Sequence, residues 1–266
     1  MEETEAVGKL NKVSRRWAIL EYLRSSEGSG HMAALSRAFG VSEMTIRRDL
    51  HTLVHQGLIS VAGKDVHVVP STTITEEIYH LKLAGSQSLK TAIAAAAVQH
   101  IHENMTVFLD GGTTIGALAP LLFPMKRITV ITNALNVLNV LSSSSGIRLI
   151  GIGGTLRPES QTFLGAKANA MMAQLRIDLS FIGTESFSVS TGLEVPDEAD
   201  AAFKEAVLRS SKASVLMVTS NKLNQTRLYQ FAQWHAIARI ITDQGLPDDV
   251  EQALRALGVM VTRVAG

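Results

Sequence analysis

The sequence predicts a large α/β domain built on a mostly parallel sheet, preceded by a small module of three helices and a two-stranded hairpin. From Leu89 onward, helix-period segments alternate with short apolar runs, the pattern of strands joined by helical crossovers and covered on both faces. Before Pro70, apolar residues recur at helical spacing in three short stretches and then form two short runs around Gly63. Charge divides at the same place: Lys9 to Asp65 holds nine Lys/Arg against five Asp/Glu, residues 71–266 hold 16 of each, and the whole chain carries only +1. A basic module ahead of a neutral one permits a polyanionic partner at that end.

In the first module, Ser14 is placed to cap a helix on which Trp17, Leu20 and Leu23 share a face, ending near Gly28 and Gly30. A second helix is expected from about 32 to 39, with Leu35 and Phe39 on one face and Gly40 as its stop. Ser42 caps a third, which carries Ile46, Leu50 and Leu53 at i, i+4 and i+7 and stops at Gly57. Residues 58–61 and 66–69 make the hairpin around Gly63-Lys64-Asp65, closed by Pro70. Residues 1–70 thus form one domain. The threonine-rich stretch 71–88 is a linker with a short helix around 76–82, and 89–266 is the second domain.

In that second domain the expected helices are 89–102, one through Ala117 and Leu121, 135–141, 166–176, 199–210 and 250–257. The expected strands are 106–109, 128–131, 148–152, 179–182, 214–218, 237–241 and 259–262. In open parallel sheets, ligands collect at the carboxyl ends of the strands.

Composition removes several classes of function. With 46% apolar and 18% charged residues the chain is globular, and the absence of cysteine excludes disulfide frameworks, thiol nucleophiles and thiolate clusters. The longest uncharged stretch, 128–147, carries threonines, asparagines and four serines and is too polar to span a membrane. The acidic Glu2, Glu3 and Glu5 stand where a secretory signal is basic and then apolar, so a soluble, cytoplasmic protein without a membrane partner is expected. Among eight histidines, His51 and His55 form an i, i+4 pair without a nearby acid, and His100 and His102 do not share a helix face, so no metal and no cofactor is expected. Neither a Walker loop nor a Ser/His/Asp order is present.

Residues 32–50 read as helix, glycine turn and capped helix, the helix-turn-helix pattern in which the start of the second helix enters the major groove of double-stranded DNA. With Ile46 and Leu50 inward, Glu43, Met44, Thr45, Arg47 and Arg48 lie on other faces. Thr45 and Arg47 are placed for base edges, Arg48 and the Ser42 hydroxyl for phosphates, and Arg15, Arg16 and Lys64 for further backbone contacts. A three-helix bundle with a solvated charged face explains the periodicity equally well. The segment VSEMTIRRDLHTLVHQGLI, however, closely resembles the DeoR family of bacterial transcriptional regulators through Val41, Ser42, Thr45, Ile46, Arg47, Arg48, Asp49, Leu50, Leu53 and Gly57. That resemblance implies a winged helix-turn-helix bound to operator DNA. In the family an arginine and a histidine-glycine-glycine wing follow; here stand Ser60-Val61-Ala62-Gly63-Lys64, with Lys64 the substitute.

Farther along, Asp110-Gly111-Gly112-Thr113-Thr114 joins a buried strand to a helix, where glycine backbone and threonine hydroxyls can hold a phosphate with little positive charge. Thr132-Asn133 and Gly153-Gly154-Thr155 end the next two strands with similar chemistry, which suggests one pocket. These features also resemble the DeoR effector domain, itself similar to the ribose-5-phosphate isomerase and glucosamine-6-phosphate deaminase fold. The matching positions are Lys90 with Ile93 and Ala94, Asp110 to Thr114, Thr132 with Asn133, Gly153 with Gly154, Phe181 to Gly183, and Asp200 with Lys204. Lys204 is placed to pair with a phosphate, with Asp110, or with Asp200 at i−4. The family's aspartate-serine-serine-lysine appears as Thr219-Ser220-Asn221-Lys222, and its glycine-rich stretch after Gly183 as Thr184-Glu185-Ser186-Phe187. The resemblance implies a repressor that senses a phosphorylated sugar, and a dimer or higher homo-oligomer is expected because one small helix-turn-helix makes few contacts and paired half-sites multiply them. The alternative is a sugar-phosphate isomerase or deaminase with a fused DNA-binding module, its base drawn from Asp110, Glu185 or Glu198.

Overall fold

Apolar residues at helical spacing fold the first unit around one core. The computed structural model describes residues 12–26, 28–55, 58–69 and 87–265. The Gly57 stop, Pro70, and residues 71–86 of the expected linker with its short helix lie outside the described residues, as do the side chains of Ser14, Trp17 and His55. The chain divides into two units between Ser86 and Gln87.

In the first unit, α1 (Lys12–Ser25) already includes Ser14, the expected cap. It is followed by β1 (Ser29–His31), α2 (Met32–Ala38), α3 (Glu43–His55), β2 (Ile59–Ala62) and β3 (Asp65–Val68). Ile19, Leu20 and Leu23 of α1 pack on Leu35 of α2, on Ile46, Leu50 and Leu53 of α3, and on Leu58, Ile59 and Val66 of the hairpin. The hairpin is wider than expected, because β1 pairs antiparallel with β3 to give the order β1-β3-β2. Ser29-Gly30-His31 has no apolar alternation to announce a strand. Gly30 admits it, since a Cβ there would come within 2.6 Å of Leu23 Cδ2. His31 then caps α2 by accepting the Ala33 amide on Nδ1 at 3.3 Å.

The second unit begins with α4 (Gln87–Val98), β4 (Thr106–Leu109) and α5 (Thr113–Gly116). The helix expected through Ala117 and Leu121 is broken: α5 is one turn long and a 3₁₀ segment, Ala119–Leu122, follows with Pro120 at its start. Proline has no amide to donate to the preceding turn. Then come β5 (Ile128–Thr132), α6 (Leu135–Leu141), β6 (Ile147–Gly151), β7 (Thr155–Arg157), β8 (Thr162–Leu164), α7 (Ala166–Ala173), β9 (Ile177–Ile182), β10 (Ser186–Ser188) and β11 (Gly192–Val195). The unit closes with α8 (Glu198–Ser210), β12 (Ser211–Met217), β13 (Tyr229–Ala232), β14 (Arg239–Asp243), α9 (Asp248–Ala256) and β15 (Met260–Val264).

Seven strands form one sheet, ordered β15-β14-β12-β9-β4-β5-β6, and every neighbouring pair in it is parallel. Alternation along each strand feeds two cores: Phe108 and Ile131 join Met172 of α7 and Phe203 of α8 on one face, while Val107, Leu109 and Val130 join Ile93 of α4 and Val137 of α6 on the other. Two antiparallel additions were not expected, the β7–β8 hairpin and the sheet β10-β11-β13. Their strands are only three or four residues long, too short for an apolar alternation to stand out from loop, so the hydrophobic pattern carries little sign of them.

Candidate nucleic-acid interface and effector site

α3 starts at Glu43 because Ser42 caps it: the Thr45 amide donates to the Ser42 carbonyl at 2.9 Å and to its Oγ at 3.3 Å. The Ser42 and Thr45 hydroxyls lie 3.0 Å apart. Ile46, Leu50 and Asp49 are buried, whereas Glu43, Met44, Arg47 and Arg48 are exposed. Asp49 accepts the Nε–H of Arg15 at 2.6 Å and that of Arg16 at 3.1 Å, which ties α1 to α3. The two arginines expected at the DNA backbone are therefore engaged in bracing α3. On the wing, Lys64 is exposed and its ammonium lies 3.8 Å from Glu43, a pairing worth little in water. Glu43, Met44, Arg47, Arg48 and Lys64 thus share one solvent-facing region of this unit.

In the α/β unit, the parallel register Leu109↔Thr132↔Gly151 brings the ends of β4, β5 and β6 side by side. Asp110 continues β4 and is buried, with Oδ1 accepting the Gly111 amide at 2.8 Å and Oδ2 the Gly183 amide at 3.0 Å. Lys204, 94 residues away on α8, donates to the same Oδ2, and its Nζ lies 3.7 Å from Asp200 and 5.7 Å from the centre of the Phe231 ring. Asp197 positions this helix by accepting the Asp200 amide at 2.9 Å. Of the three partners expected for Lys204, the fold supplies both carboxylates.

The electrostatics follow from burial. Burial pushes the Asp200 carboxyl up to about 6, against the pull of Lys204 and with a further push from Asp110. Burial also opposes the charge on Lys204, but Asp110 and Asp200 outweigh it and hold its pKa above the usual lysine value.

Gly111 has no room for a Cβ, which would collide with the Thr162 methyl on β8; Gly112 takes φ 97° and opens α5, where Thr113 is buried and Thr114 partly so. The Thr132 hydroxyl is engaged within the protein, donating to the Leu109 carbonyl at 2.7 Å and accepting the Ala134 amide at 3.0 Å. Asn133, fully buried, donates from Nδ2 to the Phe163 carbonyl at 3.1 Å, while its Oδ1 has no partner. Gly153 and Gly154 are exposed and lead into the β7–β8 hairpin, with Gly154 packed against the Leu164 carbonyl. Lys222 does not join the Asp110 cluster directly. It donates to Glu185 at 2.8 Å, two residues beyond the Gly183 that binds Asp110.

Sequence reasoning missed the hairpin, whose Thr162 and Ser160 cover Gly111, and the Lys222–Glu185 pair; the signal for the pair was a carboxylate standing in the altered stretch after Gly183. Among the described residues there is no group of three or more His, Asp or Glu able to hold a metal ion. No helix among them is long and apolar enough to cross a membrane.

A capped helix that exposes two arginines in a helix-turn-helix unit, followed in one chain by a parallel α/β unit with polar strand ends, is the architecture of a ligand-responsive transcriptional regulator. The sequence model of the DeoR-like helix-turn-helix domain matches residues 15–61, and that of the DeoR C terminal sensor domain matches residues 86–244. The HTH-type transcriptional regulator GlpR of Haloferax volcanii is 32% identical, over 93% of this chain and 96% of its own length. The glycerol-3-phosphate regulon repressor of Escherichia coli K12 is 27% identical over 92% and 96%. The chain belongs to the DeoR family of transcriptional regulators. Among solved structures, ribose 5-phosphate isomerase A from Methanocaldococcus jannaschii aligns over 52% of this chain and 55% of that one, at 16% identity and a TM-score of 0.39, a likeness too slight to add to what the sheet itself establishes.

Proposed function

We propose that this protein is a repressor that holds double-stranded operator DNA through α3 and the wing and loosens or tightens that hold when a phosphorylated sugar occupies the strand ends of the α/β unit. The observation that carries the reading is the capped start of α3, where exposed Met44, Arg47 and Arg48 stand over a buried Asp49 that braces the helix from behind. Ser42, Glu43, Thr45 and Lys64 complete the DNA-facing set. The effector site comprises Asp110, Gly111, Gly112, Thr113, Thr114, Asn133, Gly153, Gly154, Lys204 and Lys222, with Thr132 fixing the junction of β4 and β5. The backbone amides and hydroxyls of the glycine-threonine loop suit the phosphate, and the unpartnered Asn133 carbonyl suits a sugar hydroxyl.

A sensor is favoured over an isomerase or deaminase because the Asp110 carboxylate is already committed to two amides and an ammonium, which leaves it a poor base. Relatives that cover nearly the whole chain are named as regulators. The protein works as a homo-oligomer in the cytoplasm, since one small helix-turn-helix makes few contacts and paired half-sites multiply them. For the effector to matter, it must bind two arrangements of the protein with different affinity. Incubation of the full-length protein with ribose 5-phosphate, glucosamine 6-phosphate and glycerol 3-phosphate tests the reading: saturable binding without product supports it, and turnover supports the enzyme.

A further inference from the structure

The floor of the major groove offers one apolar feature, the C5 methyl of thymine, and a protein reads it with an apolar side chain. At the start of α3 the polar side chains already have partners inside the protein. The Thr45 hydroxyl faces the Ser42 hydroxyl at 3.0 Å, and the Glu43 carboxylate faces Lys64 at 3.8 Å. Met44, which lies between Glu43 and Thr45 in the sequence, is 66% exposed, more open than Val54 or Val61, the other exposed large apolar side chains described in this unit. Arg47 and Arg48, one turn further along the helix, are exposed and add positive charge around it. A flexible thioether in the first turn of the helix, with two arginines three and four residues on, has the chemistry to cover a methyl group.

We propose that Met44 is the residue that reads thymine, making a van der Waals contact with its C5 methyl and so fixing a T·A pair in each half-site. This gives the apolar contact to Met44, and it rests on the DNA-binding reading given above. Arg47 is left as the polar base reader, and Arg48 and Lys64 as backbone contacts.

The test uses the duplex that the full-length protein enriches from a randomised pool. Each thymine of that duplex is replaced in turn by deoxyuridine, which removes the methyl and leaves base pairing unchanged, and dissociation constants are measured at fixed salt. For the unaltered protein, one position in each half-site should weaken binding by about fourfold, the worth of one buried methyl. Met44→Ala should bind more weakly and be insensitive to the methyl at that same position, whereas Met44→Leu should keep the discrimination. If a duplex is bound in a salt-sensitive way and no thymine responds, or if Met44→Ala discriminates as well as the unaltered protein, the assignment to Met44 is overturned while DNA binding stands. If no duplex is enriched, the DNA-binding reading fails and this assignment with it.

Discussion

Replacing Lys204 by methionine keeps an unbranched apolar stem in place but deletes the charge that stands against two buried carboxyls. Lys204 is 5% exposed, Asp110 1% and Asp200 9%, so water supplies little compensation. At the 3.7 Å separation from Asp200, and with an effective dielectric of about 20, the attraction lost is about 4 to 5 kcal/mol for that pair. Relief from burying the ammonium offsets part of this. The net cost of breaking a buried pair by removing one partner is roughly 3 to 5 kcal/mol. The lower end applies here, because Asp110 keeps the Gly111 and Gly183 amides and Asp200 can take up a proton. At roughly 2 to 4 °C per kcal/mol, the α/β unit of Lys204→Met should melt about 6 to 12 °C lower. Calorimetry and urea unfolding of the full-length protein give the measurement. Asp110→Asn combined with Lys204→Met should cost clearly less than the sum of the two single changes, since no uncompensated charge then remains on that pair. A loss below about 1 kcal/mol for Lys204→Met, or strict additivity in the cycle, would mean that Lys204 does not hold the two buried carboxyls.

Stability should also respond to pH through Asp200. Its carboxyl titrates near 6 when folded and near 3.8 in its ordinary state, so the folded protein holds the extra proton between these values, and the associated stability is present below 3.8 and lost as the pH rises through 6. The loss is on the order of 3 kcal/mol, and Asp200→Asn should flatten the curve between those values; an unchanged slope would contradict the assignment. Asp49→Ala removes the buried carboxylate that Arg15 and Arg16 share, so the helical unit should lose about 2 to 3 kcal/mol in urea unfolding followed by circular dichroism. Operator affinity should fall with it as α3 loses its brace. Gly111→Ala drives a Cβ into the Thr162 methyl and should cost about 1 to 3 kcal/mol; adding Thr162→Ser, which removes that methyl, should recover most of the loss.

What the sequence made legible was whatever lies close together in it. The Ser42 cap, the inward face of Ile46, Leu50 and Leu53, and the short apolar strands of the parallel sheet are all local patterns, and the fold places them as expected within a few residues. Partnerships across long separations were not local. Nothing in the spacing shows that Asp49 draws in two arginines more than thirty residues earlier, so their charge pointed outward to DNA rather than inward to α3. The union of Asp110 with Lys204 was open among three partners until the fold brought α8 beneath the end of β4. The β7–β8 hairpin was invisible because its three-residue strands are held by packing against the Gly111 loop and by the bridge between Ala134 and Thr162, not by an alternation of their own.

We propose that a metabolite at the strand ends governs the grip of α3 on DNA. It is tested most directly by the dissociation constant of the enriched duplex, measured with full-length protein over a range of salt, with and without each sugar phosphate of the panel. Binding should be salt-sensitive and abolished by Arg47→Ala with Arg48→Ala, and at least one compound should shift it by about tenfold or more, equivalent to about 1.4 kcal/mol of coupling. Lys204→Met, if folded, should weaken that shift. Retention of no duplex at any salt, or a dissociation constant that no compound moves, would contradict it.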